Sequence, residues 1–205
     1  AVEEFSRIAQ NLRTTYIDYS EYYDHTTKNN LDLAQWAIEA HSSGWGYVWG
    51  TYGHVLTRSY YEAKLAQYPE GVGNYADFIL ANWLGKRTAD CVGLVKGYCW
   101  FDPEAQSIGY AVNGMPDIAT EQMIEWCDEK GSMDTMPEIP GLLLWMDGHV
   151  GIYIGDGYAI EAMGTRYGVV KTQVAGRGWQ KWGKIPSIEY IEEAEETEPT
   201  EAAVG

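Results

Sequence analysis

The chain has 205 residues, with 14 Lys and Arg against 30 Asp and Glu, giving a formal net charge of −16. That length holds one domain with a real core, and a hydrophobic content of 45% places it among folded globular chains. The charge argues against nucleic acid or an anionic membrane as partner, because binding phosphates needs clustered Lys and Arg. Nine Trp and sixteen Tyr stand against three Phe. Such amphipathic rings line grooves for sugars or peptides as readily as they fill cores. The three cysteines, Cys91, Cys99 and Cys127, leave one thiol unpaired in any arrangement, and no Cys/His spacing matches a structural zinc site. A disulfide between Cys99 and Cys127 is compatible with the sequence but not demanded by it. No apolar run is long enough to span a membrane, and no stretch reads as a signal peptide.

Residues 1–30 are polar and Tyr-rich, with a helical pattern through Phe5, Ile8, Ala9 and Leu12. A helix is expected over 30–41, where Leu31, Ala34, Ala37 and Ile38 form one stripe. Residues 44–51 follow as a glycine-punctuated aromatic loop. Two short helices are expected over 59–67 and 75–84, broken by the proline and glycines of 69–73. Residues 88–100 read as a helix whose first turn carries Cys91, capped by Thr88 or Asp90, with Leu94, Val95 and Tyr98 facing a core. A thiol there meets unpaired N–H groups and the positive end of the helix dipole, which favour thiolate. The alternative for Cys91 is a small buried hydrophobe. A helix over 118–130 precedes a loop with Pro137 and Pro140. Strands are expected over 142–146, 149–154, 158–163, 168–174 and 179–185. Helices first and strands after is an α+β arrangement, helices against an antiparallel sheet. Residues 188–205 read as an acidic tail or linker. His25, His41 and His54 read as surface histidines.

His149 opens a strand in which Val150, Ile152 and Ile154 take one face, leaving His149 and Tyr153 on the other. Gly155–Asp156–Gly157 then reverses the chain. A three-residue loop sets Gly151 opposite Glu161 and makes His149 and Glu161 diagonal neighbours on one face; a two-residue turn at Asp156–Gly157 sends Glu161 to the far face. Both turns suit these residues, and Gly157 suits the left-handed position of the longer loop. On the longer loop, Cys91, His149 and Glu161 form a nucleophile, a base and a group that orients the base.

These residues resemble the NlpC-type papain-like cysteine peptidases of bacterial cell walls. The family's Asp-Cys-Ser-Gly-Leu-Val motif is matched by Asp90–Cys91–Val92–Gly93–Leu94–Val95, and its His-Val-Gly-Ile-Tyr-Ile-Gly strand by residues 149–155. Its Pro-Tyr-x-Trp-Gly-Gly segment is echoed by Gly46–Tyr47–Val48–Trp49–Gly50–Thr51, and its Pro-Gly-Asp-Leu-Val segment by Pro140–Gly141–Leu142–Leu143–Leu144. The likeness runs from roughly Asp32 to Ile185. Val92 stands where the family has serine, Glu161 where it usually has histidine, and the stretch between Gly50 and Asp90 is longer than usual. The resemblance implies a papain-like catalytic domain over 31–187 with a helical insertion over 54–88. It implies hydrolysis of an amide in peptidoglycan stem peptides, of the γ-D-glutamyl–diamino acid type, through Cys91, His149 and Glu161. Tyr47, Asp90 and Trp49 are then substrate-binding, no cofactor or metal is needed, and the setting is secreted or cell-wall associated. A related thiol amidase or acyltransferase, and an idle wall-binding module on the same fold, are the other readings, since fold alone does not fix function.

Overall fold

In the computed structural model, the described residues are 16–20 and 27–192. The expected helical pattern through Phe5 and Leu12, His25, and residues 193–205 of the expected tail lie outside them.

The Asn29 side chain accepts from the Asp32 amide at 2.8 Å and starts helix α1, Asn30–Ser42. Its expected stripe, Leu31, Ala34, Ala37 and Ile38, is buried. Strand β1, Tyr52–Val55, follows the aromatic loop. Three helices come next: α2, Arg58–Gln67; α3, Pro69–Gly73; and α4, Ala76–Asn82. The expected break over 69–73 is thus itself a short helix. Pro69 sits in its first turn, where a fixed φ and a missing N–H cost nothing. Strand β2, Arg87–Ala89, returns antiparallel to β1 and closes the excursion. Val48, Leu56, Tyr61, Val72 and Ile79 form a small separate core, so this excursion is a packed wall.

Helix α5, Cys91–Trp100, is buried on all sides from Val92 onward. Its glycines let β1 lie against it, because a Cβ at Gly97 would stand 2.2 Å from the Tyr52 carbonyl oxygen. A hairpin of β3, Phe101–Asp102, and β4, Ser107–Ile108, ends it. Helix α6, Thr120–Trp126, is shorter than the pattern suggests. Residues downstream are drawn into strand β5, Lys130–Ser132, by pairing with a late strand.

The remaining strands are β6, Leu143–Met146; β7, His149–Gly155; β8, Tyr158–Gly164; β9, Gly168–Gln173; and β10, Lys181–Gly183. With β5 they form a six-stranded antiparallel sheet in the order β5-β10-β6-β7-β8-β9. Val150, Ile152, Ile160 and Ala162 pack into the main core with α1 and α5, while Leu144, Tyr153 and Ala159 pack on the other face with Trp179 and Trp182. The molecule is therefore α+β, helices against an antiparallel sheet. Residues 188–192 stay with the domain: Ile188 is buried, and the Ile191 amide donates to Asn30 Oδ1 at 2.7 Å. All three cysteines are free thiols. Among the described residues no helix is long and apolar enough to cross a membrane.

Candidate active site

Asp90 caps α5. Its Oδ1 accepts from the Gly93 amide at 2.7 Å, and its Oδ2 from the Gly50 amide at 2.8 Å, so one carboxylate joins helix and aromatic loop. Cys91 is the first helical residue. Burial pushes its thiol up to about 12, and the neighbouring Asp90 charge adds to the rise. The amides of Val150, Val92 and Cys91 oppose it without prevailing. The helix terminus alone leads one to expect a thiolate; desolvation and a carboxylate next door outweigh it here. At neutral pH the thiol keeps its proton.

The β7–β8 connection combines both turns that the sequence allows. Asp156 and Gly157 have φ of 54° and 77°, a two-residue turn with Gly155 opposite Tyr158. Taken alone it would send Glu161 to the far face. A bulge at Ile154 then shifts the register, so Tyr153 opposes Ala159 and Ile152 opposes Ile160. One step further along, Glu161 lies against Gly151, where an added Cβ would be 3.3 Å from the Glu161 Cβ.

His149 Nε2 consequently meets Glu161 Oε1 at 3.1 Å. Glu161 is fully buried and takes further hydrogen bonds from Thr172 Oγ1 at 2.8 Å and from Arg177, whose Nη2 donates at 2.5 Å. Burial by itself would raise this carboxyl's pKa; the hydrogen bonds from His149 and Arg177 overcome it and hold the value below the usual range. Trp179 stacks on the imidazole, centroids 5.6 Å apart and planes 15° from parallel. A Cβ at Gly151 would stand 2.8 Å from the Trp179 ring, so glycine makes room for it. No motif or spacing in the sequence assigns Thr172, Arg177 or Trp179 to the site. One signal was present: a glutamate on a strand buried on both faces demands a cation.

Among the described residues no hydrogen bond joins the Cys91 thiol to His149, although α5 packs against β7. Tyr47 is buried, and burial above all raises its phenol pKa, with Cys91 and Asp90 adding to the rise. Trp49 is half exposed and, with Asp90, lines a cavity of about 280 Å³ between α2 and α5. A cavity of about 760 Å³ near Lys28, Trp100 and Ser187 is larger but contains none of these residues. No group of three His, Cys, Asp or Glu among the described residues is arranged to hold a metal ion.

No family model matches the sequence, and no curated protein matches it. In structure the chain is similar to the P60 domain of an antigen of M. avium subspecies paratuberculosis, at 20% identity over 78% of this chain and 97% of that one, with a TM-score of 0.43. It is similar to the NlpC/p60 domain of the peptidoglycan hydrolase SagA, at 18% identity over 80% of this chain and 100% of that one, TM-score 0.41. A third likeness is to the peptidoglycan hydrolase RipB from Mycobacterium tuberculosis, at 18% identity over 88% of this chain and 76% of that one, TM-score 0.44.

Proposed function

We propose that this chain is a papain-like cysteine hydrolase of the NlpC type that cleaves an amide bond in peptidoglycan stem peptides. Cys91 is the nucleophile, His149 the base and acid, and Glu161 the group that orients the base. The observation that carries this reading is the 3.1 Å contact between His149 Nε2 and the buried Glu161 carboxylate. With Nε2 committed as a donor, Nδ1 is left as the proton acceptor at the head of β7.

The neutral thiol fits a general-base step. Nδ1 takes the Sγ proton as sulfur attacks the scissile carbonyl, and Glu161 stabilises the imidazolium that forms. The backbone N–H of Cys91 donates to the developing oxyanion. The imidazolium returns its proton to the leaving amine, giving a thioester. Water, deprotonated by the same Nδ1, then releases the acid and restores the thiol. Tyr47, Asp90 and Trp49 bound the side of the groove before the scissile bond, residues 31–187 are the catalytic domain, and 54–88 is an inserted wall. A peptidoglycan substrate places the protein outside the cell or at the wall.

The test is incubation with a stem peptide of the form L-alanyl-γ-D-glutamyl–diamino acid, followed by mass spectrometry. Cleavage after the γ-glutamyl residue is expected with the wild-type protein and none with Cys91→Ala. An intact peptide in both samples, or cleavage that survives Cys91→Ala, overturns the reading.

A further inference from the structure

We propose that Arg177 is a positioning residue: it keeps the Glu161 carboxylate a pure hydrogen-bond acceptor and so fixes which nitrogen of His149 carries the proton. This deepens the hydrolase reading and rests on it for the consequence in catalysis. The tautomer itself can be observed without turnover.

Arg177 engages both oxygens of Glu161. Its Nη2 donates to Oε1 at 2.5 Å, and its Nε lies 3.2 Å from Oε1 and 3.1 Å from Oε2. Oε1 also meets His149 Nε2 at 3.1 Å, and Oε2 accepts from Thr172 Oγ1 at 2.8 Å. Turning the carboxylate plane therefore breaks several bonds at once. The guanidinium is held in its turn, over the Trp179 ring at 5.7 Å and with Nη1 3.9 Å from Met146 Sδ. Trp179 is the same ring that stacks on His149. One loop, between β9 and β10, thus supplies a partner to each member of the His149–Glu161 pair.

The titratable or charged groups that reach Glu161 are His149 of β7 and Arg177 of that loop; β9 offers Thr172, which does not titrate. An ionised carboxylate only accepts hydrogen bonds, whereas a protonated one also donates. Burial favours the protonated form, and the guanidinium opposes it. Were Glu161 to take a proton, its O–H could donate to Nε2, and the imidazole would then carry its own proton on Nδ1. Nδ1 could not accept the Sγ proton in that state, and the base would be lost. A guanidinium suits this post because it stays charged at any pH the protein meets, and its fork matches two carboxylate oxygens.

The experiment reads the His149 ring by nitrogen NMR at about pH 8, where a free imidazole is neutral, with its signals assigned by loss in His149→Gln. Stem-peptide cleavage is measured in parallel. Wild-type protein is expected to carry the ring proton on Nε2. Arg177→Met moves it to Nδ1 in a measurable fraction and lowers kcat about a hundredfold, the lower end of what a general base contributes, with KM little changed. Arg177→Lys keeps a cation and recovers part of both effects. In the Glu161→Gln background, adding Arg177→Met should cost about threefold or less, because the charge it serves is gone. That pair strands no buried charge, so it stays measurable even if Arg177→Met alone fails to fold. A ring proton that stays on Nε2 in folded Arg177→Met, or a hundredfold loss on adding Arg177→Met to Glu161→Gln, overturns the proposal. A tautomer change in a chain that cleaves nothing keeps the positioning role and removes the hydrolase. Cleavage with an unmoved tautomer does the reverse.

Discussion

On the sheet side of Cys91, the Glu161 carboxylate is fully buried and accepts from His149, Thr172 and Arg177. On the helix side, the part-exposed Asp117 carboxylate accepts from Lys96 and from the Tyr110 hydroxyl, all three lining the cavity between α2 and α5. The two networks use similar residue types, yet one is closed by the protein and the other is open to a cavity. A closed network of buried charges costs desolvation but fixes one geometry, here that of Glu161 against His149. An open one stays solvated, so its charges are screened and it fixes geometry less firmly. Arg177 gives the buried carboxylate a second, charged partner at 2.5 Å beside its contact with His149.

The comparison breaks most visibly if the thiol belongs to the closed side at rest. With the Cys91 thiol pushed up to about 12, its thiolate fraction grows tenfold with each pH unit. Iodoacetamide labelling of Cys91 in the free protein should therefore climb roughly a thousandfold between pH 7 and pH 10. Buried Cys99 and Cys127 should label only on unfolding. A flat, fast rate from pH 6 upward would mean that thiolate and imidazolium are already paired.

The next effect concerns closure itself. Arg177→Met strands the Glu161 carboxylate in the interior and should cost about 3 kcal/mol. For a domain of this size, that lowers Tm by roughly 6–12 °C. Glu161→Gln in the same protein removes the stranded charge and should recover part of the loss. If Arg177→Met melts like the wild type, the network is not closed in the way described.

The smallest effect is in acid. Because the folded Glu161 pKa lies below the unfolded value of about 4.3, its contribution is complete above that value and is lost as pH falls through the lower folded one. Wild-type Tm should thus drop more steeply between pH 5 and pH 3 than that of Glu161→Gln. Parallel curves would show that the carboxylate is not held by its partners.

Local patterns carried much of this structure. The α1 stripe, the cap on α5 and the period-two strands are short-range physics, and each is decided by residues within a few positions of one another. Cys91, His149 and Glu161 could be picked out because two of them open regular elements and the third follows at a countable register. Arg177 and Trp179 could not. They lie in a stretch bounded by Gly176 and Gly178 with no periodicity to read, and what places them is the empty side of Gly151 and a buried carboxylate in need of a cation.

By itself, then, the sequence determined α1, α5, the late strands and the α+β class, and it named Cys91, His149 and Glu161 as candidates. Tertiary structure decided the rest. A bulge at Ile154 put Glu161 on the face of His149 despite a two-residue turn, because side-chain direction in a strand reverses with a single residue of register. Burial beside Asp90 turned the expected thiolate into a thiol, because desolvation depends on everything packed around a group and not on the helix that carries it.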